Sequence, residues 1–166
     1  MSRSGHIIII IIIIIIIGWY GAMCQGQAIS VLVRAWTITK DPRYLTAAEA
    51  GSRVFNISST NGGVKAVFLD KYTWFEEYPT NPPTFILNGF IYSLLGLYDL
   101  KTVSTKLKVQ ISQLFQSGLD SLAAMLPLYD TGSSTLYDLR HFTMKTAPKV
   151  RQFYQVYLSF YSSAGC

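Results

Sequence analysis

Apolar residues recur at the i, i+3, i+4, i+7 spacing of one helix face in four segments of the chain. This spacing predicts helices at 22–40, 42–55, 85–100 and 102–126. Asp41-Pro42 marks the boundary between the first two helices, because aspartate caps a helix N-terminus well and proline fits the first helical position. The four helices are therefore expected to form two αα-hairpins.

The inward positions of these helices are expected to share one core. In the first two helices they are Ile29, Leu32, Val33, Trp36, Leu45, Ala48, Ser52 and Phe55. In the last two they are Leu87, Ile91, Leu94, Leu95, Tyr98, Leu107, Ile111, Leu114, Phe115, Leu122, Met125 and Leu126.

The segments between and after the helices have extended or irregular character. Residues 64–69 have strand composition, whereas 71–83 are aromatic, acidic and rich in proline, which is too irregular for a helix. Residues 128–142 are predicted as two short extended pieces around a turn at 130–133. Helical hairpins separated by such loops predict a mainly all-α fold, as a fragment of an (α/α) toroid with short β segments in its loops. A self-sufficient helical bundle is the alternative.

Residues 7–17 are an uninterrupted run of isoleucines. A helix needs about 20 apolar residues to span a bilayer, and the uncharged stretch continues to Cys24. A membrane-spanning segment is therefore one interpretation of this stretch. Arg3 and the small residues after the run fit a signal peptide. A β-branched homopolymer is a poor helix former, which favours a low-complexity segment foreign to the fold, and a buried strand or helix is a further interpretation. Residues 1–17 are therefore treated as a separate apolar segment.

The composition is that of a globular protein with an ordinary hydrophobic core and a mild positive charge. Half of the residues are hydrophobic, and the share stays typical of globular proteins without the isoleucine run. The net charge is +5, and the absence of any run of like charges excludes a nucleic-acid-binding patch. The two cysteines, Cys24 and Cys166, are too few for a disulfide framework or a cysteine zinc site.

Two segments concentrate side chains that suit a sugar acid. The loop 71–80 holds two carboxylates and four aromatic rings, which can bind hydroxyl groups and stack on sugar rings. In the segment 136–142, Arg140 beside His141 can hold a substrate carboxylate, and Tyr137 can act on a neighbouring atom. The alternatives are an aromatic loop that caps the helical core, and a surface ion pair between Asp138 and Arg140.

A third group lies at 18–27, at the start of the first helix. Gln25 and Gln27 can contact hydroxyl groups, and the glycines allow close approach of another helix, so helix packing alone is the alternative. The sequence has no metal-ligand set, no glycine-rich phosphate loop and no Gly-x-Ser-x-Gly elbow. No cofactor is therefore expected.

Together these groups resemble the C-terminal region of the D-glucuronyl C5-epimerase family. The resemblance covers 18–148, and 149–166 form a divergent tail. Its blocks follow in order: Gly-Trp-Tyr-Gly-Ala-Met-Cys-Gln-Gly-Gln (18–27), Lys-Asp-Pro (40–42), Gly-Val-Lys-Ala-Val-Phe (63–68), Trp-Phe-Glu-Glu-Tyr-Pro-Thr (74–80), Leu-Asn-Gly-Phe (87–90), Gly-Leu-Tyr-Asp-Leu (96–100), Ala-Met-Leu-Pro-Leu-Tyr-Asp-Thr-Gly-Ser (124–133) and Tyr-Asp-Leu-Arg-His-Phe (137–142). The resemblance implies that this region is a toroid of paired helices.

That family converts D-glucuronic acid to L-iduronic acid at C5 within heparan sulfate and heparin precursors. The resemblance implies catalytic roles for Glu77, Tyr78, Tyr137 and Arg140. The predicted substrate-binding residues are Trp19, Tyr20, Gln25, Trp74 and His141. A further family tyrosine lies in a downstream Trp-Asp-Tyr-His segment; Tyr154 is near that place, but its neighbours differ, so the role is not transferred.

Inversion at C5 removes a proton beside the carboxylate and returns one to the opposite face, which requires groups on both sides of the ring. Tyrosine, with an ordinary pKa of about 10, can serve if a cation such as Arg140 lowers its pKa. No metal or organic cofactor is needed for this scheme.

The resemblance also implies partners and a location. It implies a heparan sulfate or heparin precursor polysaccharide as partner, no nucleic acid, a homodimer, and the Golgi lumen or membrane with an anchor upstream of this region. The sequon at 56–58 fits a lumenal protein. A truncated, non-catalytic toroid fragment that at most binds acidic glycans is the alternative function.

Overall fold

The computed structural model describes residues 20–151. The helices are α1 (Ala22–Thr39), α2 (Pro42–Gly51), α3 (Leu87–Val103), α4 (Lys108–Met125) and the short α5 (Arg140–Met144). The strands are β1 (Lys65–Phe68), β2 (Tyr72–Phe75), β3 (Thr135–Leu136) and β4 (Val150–Arg151), and 3-10 turns occupy Ser52–Asn56, Ser59–Asn61 and Leu126–Tyr129. The mainly helical fold class is confirmed, whereas the assignment to a fragment of an (α/α) toroid stays a prediction.

The four longer helices pack in the order α2, α1, α3, α4. Helices α1 and α3 approach most closely where Gly26 lies against Gly96 and the main chain of Tyr92, and a Cβ at either glycine would collide with the other helix's backbone. Helix α2 begins as its sequence predicts, with Pro42 in the first turn and the Asp41 side chain accepting the N–H of Arg43 at 3.0 Å. The two predicted hairpins thus form the helical layer.

Most of the predicted inward positions are buried. The confirmed ones are Ile29, Leu32, Val33, Ala48, Ser52, Phe55, Leu87, Ile91, Leu94, Ile111, Leu114, Leu122 and Met125. The prediction is wrong for Leu95 and Tyr98, which are each 49% exposed. Both lie on α3, and the Tyr98 ring packs on Phe115 of α4 with centroids 5.6 Å apart but stays partly exposed.

Two short elements differ from the predicted loop structure. The stretch 71–83 forms no helix, as predicted, but part of it is a strand that was not predicted: β2 pairs with β1 in an antiparallel hairpin, with Phe68 opposite Tyr72 and Lys65 opposite Phe75. Residues 140–144 form α5 and are not extended, because the Asp138 side chain accepts the N–H of Arg140 at 3.2 Å and starts a helical turn.

The isoleucine run and the tail after 151 lie outside the described residues. Within 20–151, none of the helices combines the length and the apolar character that crossing a bilayer requires. The same range contains no cluster of three or more His, Cys, Asp or Glu side chains placed to hold a metal ion.

Candidate active site

Glu77 lies in the loop after β2 and against the start of α3. Its side chain is 8% exposed and packs on Gly89, where an added Cβ would lie 2.5 Å from the Glu77 Cβ. Glycine at position 89 therefore leaves the space in which the carboxylate sits. The Glu77 Oε2 atom is buried and makes no hydrogen bond of normal geometry within the described residues.

Glu77 and Tyr78 influence each other's protonation. Burial raises the pKa of Glu77, while the Tyr78 hydroxyl and the Gly89 N–H, which favour the charged form, lower it. The hydrogen bond to Glu77 and its charge raise the pKa of Tyr78, whose side chain is 45% exposed. The expectation that a cation lowers the pKa of the catalytic tyrosine is therefore wrong for Tyr78, because its close neighbour is a carboxylate. Tyr78 holds its proton at neutral pH.

The second candidate segment is organised by Asp138. Asp138 is fully buried, its Oδ2 atom accepts a hydrogen bond from Arg140 Nε at 2.6 Å, and the same oxygen forms an ion pair with Nη2 at 2.5 Å. The Arg140 side chain is 22% exposed, so the guanidinium is oriented from inside and reaches the surface. The predicted pair exists, but it is buried on the aspartate side and is not a surface pair.

The two segments meet at residues 84–87. The Leu139 N–H donates to the Thr84 carbonyl at 3.0 Å, and the Leu87 N–H donates to the Tyr137 carbonyl at 3.2 Å. From the other side, the Glu76 carboxylate accepts the N–H groups of Thr84 and Phe85 at 3.1 and 3.0 Å. One short stretch of main chain is thus bonded both to Glu76, which directly precedes the Glu77/Tyr78 pair, and to the segment 137–140.

The predicted substrate-binding residues lie in different surroundings. Trp74 is fully buried, stacks on Phe90 with ring centroids 3.7 Å apart and donates its Nε1–H to the Ile86 carbonyl at 3.3 Å. It therefore has no exposed face to offer a sugar ring in this structure, and the assignment as a sugar contact does not fit its burial.

Gln25, Tyr20 and His141 are each placed by packing. Gln25 is 7% exposed and lies against Gly51 of α2, which fits the helix-packing alternative. Tyr20 is half-buried beside the core, and His141 is half-buried with an Nδ1 atom that has no hydrogen-bond partner within 20–151. Trp19 lies outside the described residues.

Sequence comparisons place the chain in a family. The profile of the D-glucuronyl C5-epimerase C-terminus matches residues 15–162. The D-glucuronyl C5-epimerase of Caenorhabditis elegans is 47% identical over 143 residues, which cover 80% of this chain and 23% of that protein. The chain belongs to the D-glucuronyl C5-epimerase C-terminus family.

A second relative of this epimerase-family chain comes from an archaeon. An uncharacterised protein of Methanocaldococcus jannaschii is 34% identical over 124 residues, which cover 73% of this chain and 40% of that protein. The chain therefore spans less than half the length of either of these relatives. The family match also extends beyond 18–148 in both directions.

Sequence reasoning missed two buried groups of the epimerase-family site. Glu76 is fully buried beneath Glu77, and burial raises its pKa to about 7. Tyr129 is fully buried too, donates its hydroxyl to the Phe85 carbonyl at 2.6 Å and has its pKa raised well above the ordinary value by burial. The adjacent glutamates are identical in type, so only the fold distinguishes Glu76, whose carboxylate binds residues 84–85, from Glu77, which packs on Gly89.

Proposed function

We propose that this chain forms part of the catalytic region of an enzyme that inverts C5 of D-glucuronic acid within a heparan sulfate or heparin precursor. The observation that carries the proposal is that Glu76, which directly precedes the Glu77/Tyr78 pair, and the segment 137–140 are both bonded to residues 84–87, in a chain that belongs to the epimerase family. The glucuronyl unit and its C5 are in the name of the related enzyme of C. elegans, and the polymer is what the family resemblance implies.

The protonation pattern supports a division of roles. Burial raises the pKa of Glu77, which makes its carboxylate a stronger base, so we assign it the removal of the C5 proton; the electron pair left behind spreads into the substrate carboxylate. Arg140, held by Asp138, is assigned to that carboxylate, where its charge stabilises the intermediate. Tyr137 is assigned to return a proton to the opposite face of C5. Tyr78 donates to Glu77 and keeps its own proton.

The experiment measures incorporation of deuterium from D₂O at C5 of uronic acids in a de-sulfated heparan polymer, by mass spectrometry. The wild-type chain should incorporate label, and Glu77→Gln and Tyr137→Phe should each slow incorporation about 100-fold, the usual size of a lost acid or base. Tyr98→Phe is the matched control for Tyr137→Phe, because it removes the same hydroxyl group from a tyrosine of α3 whose ring packs on Phe115 of α4.

Two outcomes count against the proposal. A folded wild-type chain that incorporates no deuterium would contradict catalysis by this chain. If that same chain retained the heparan polymer on a column, the alternative of a non-catalytic domain that binds acidic glycans would be supported instead. An equal loss in Tyr98→Phe and Tyr137→Phe would remove the assigned role of Tyr137.

A further inference from the structure

Glu76 is tied by its main chain to two elements on either side of the site. Its N–H donates to the Val64 carbonyl at 2.7 Å, just before β1, and its carbonyl accepts the N–H of Ala22 at 3.0 Å, at the first residue of α1. The residue is fully buried. The position of Glu76 is therefore set by the helical layer and the hairpin together.

Its side chain holds a strained piece of main chain. The Glu76 carboxylate accepts the Thr84 N–H and hydroxyl, both at 3.1 Å, and the Phe85 N–H at 3.0 Å. Phe85 has a φ of 55°, in the left-handed region that bulky residues rarely adopt. The Phe85 carbonyl is held as well, by the Tyr129 hydroxyl at 2.6 Å. The N–H and the carbonyl of Phe85 are thus both hydrogen-bonded to buried side chains, which hold its unfavourable backbone conformation.

The main chain next to Phe85 is hydrogen-bonded to the second candidate segment and to α5. The Thr84 carbonyl accepts the Leu139 N–H at 3.0 Å, and the Thr143 hydroxyl donates to the Pro83 carbonyl at 2.8 Å. Leu139 directly precedes Arg140, and Thr143 lies in the same short helix, α5. A shift of residues 84–85 would therefore move Arg140 relative to Glu77.

We propose that Glu76 is a positioning residue of the site, whose carboxylate fixes residues 84–85 and, through them, Tyr137 and Arg140 relative to Glu77 and Tyr78. Its effect on turnover rests on the proposed function, whereas its effect on the geometry does not. Glu76 touches no substrate in this arrangement and acts through the groups it holds.

The chemistry of the site calls for a carboxylate at this position. Thr84 and Phe85 present three donors, and the Glu76 carboxyl group accepts them with its two oxygens. A glutamine in the same place has a single acceptor oxygen, and its NH₂ group would face an N–H donor. Glu76→Gln therefore keeps the size of the side chain but cannot hold both residues.

The test compares wild type, Glu76→Gln and Glu49→Gln. Glu49 is the matched control, because its carboxylate also bridges two elements, through the Ser104 hydroxyl at 2.6 Å, but far along the chain from the site segments. Amide hydrogen exchange should accelerate at least about tenfold at Phe85 and Leu139 in Glu76→Gln and stay unchanged at Ile29. In the deuterium incorporation assay kcat should fall about tenfold or more with KM within about threefold, because misplaced groups lose transition-state contacts first.

Failure of the positioning role and failure of the proposed function give different results. Unchanged protection at Leu139 in Glu76→Gln overturns the positioning role, and so does an equal loss of protection at every amide, which would make Glu76 a support of the whole fold. A wild-type chain without C5 exchange contradicts the proposed function alone, and amide exchange at Phe85 and Leu139 still decides whether Glu76 positions the site. Loss of kcat in Glu49→Gln to the same extent would also overturn the positioning role.

Discussion

The triplet Asp-X-Arg occurs twice in the chain, and both copies adopt nearly the same local geometry. The Arg43 N–H donates to Asp41 Oδ1 at 3.0 Å, and the Arg140 N–H donates to Asp138 Oδ1 at 3.2 Å; each guanidinium binds the other oxygen of its aspartate. Each copy also stands at the start of a helix, α2 or α5. Their surroundings differ, because the Asp41 side chain is 24% exposed and the Asp138 side chain is fully buried.

The difference shows that a three-residue pattern sets the geometry of an ion pair but not its contribution to the stability of the fold. The side-chain hydrogen bond from Arg43 lowers the pKa of Asp41, yet water screens this exposed pair. The Asp138 charge has no contact with water, so it depends on Arg140 and also raises the pKa of Glu76. Burial therefore connects the second copy to the candidate site.

The largest expected effect uses Glu76, a buried carboxylate whose hydrogen-bond donors are all uncharged. Burial, with Asp138 adding to it, raises its pKa from 4.5 to about 7 against the opposing hydrogen bonds. The folded state therefore binds the proton more tightly than the unfolded state, and the stabilisation from Glu76 is complete below about pH 4.5 and lost as the pH rises through about 7. Over this window the free energy of unfolding should fall by about 3 kcal/mol.

Urea unfolding between pH 5 and pH 8 measures this contribution. Glu76→Gln should remove most of the fall, because glutamine does not titrate. Asp41→Asn should leave the fall intact, since the lowered pKa of Asp41 keeps it ionised throughout this range in the folded state. Parallel pH profiles of the wild type and Glu76→Gln would contradict the raised pKa.

The next effect sets the two Asp-X-Arg copies directly against each other. Asp138→Asn should lower the free energy of unfolding by about 2 kcal/mol, because it leaves Arg140 without its partner while part of the guanidinium still reaches water. Asp41→Asn should have a much smaller effect, because asparagine is also a good N-cap and the pair is exposed. Urea unfolding at pH 7 compares the two variants. Equal losses in the free energy of unfolding would show that burial does not set the contribution of the ion pair to stability.

The helical layer was predictable because its signals are local. The 3.6-residue spacing placed α1 and α3, and Asp41-Pro42 gave the start of α2, as the structure has it. The catalytic candidates could be named from short blocks of sequence, but their roles stay predictions.

The burial and orientation of the candidate site residues could not be predicted, because they depend on contacts between distant parts of the chain. The pairing of β2 with β1 buries Trp74, whose aromatic ring looked in the sequence like a surface for sugar. The inward turn of Glu76 follows from its bonds to residues 84–85, and Arg140 owes its orientation to the burial of Asp138. None of these contacts leaves a periodic pattern, so residue type alone could not reveal them.

The smallest expected effect is at the β1–β2 turn. There, neighbouring residues contribute little to stability, and the local backbone conformation determines the effect of a substitution. Leu69 has a φ of 50°, in the left-handed region, and its side chain is 75% exposed. This region costs a residue with a Cβ about 1 kcal/mol or more, whereas glycine enters it freely but adds entropy to the unfolded chain. Leu69→Gly should therefore raise the free energy of unfolding by about 0.5 kcal/mol.

Val109→Gly is the matched control for Leu69→Gly, because Val109 is 72% exposed but lies in α4. Glycine is unfavourable in a helix, so this variant should lower the free energy of unfolding. Opposite signs in urea unfolding would show that backbone conformation, and not loss of an exposed apolar side chain, controls the effect at position 69. A loss of stability at both positions would mean that the Leu69 side chain stabilises the turn more than its φ angle strains it.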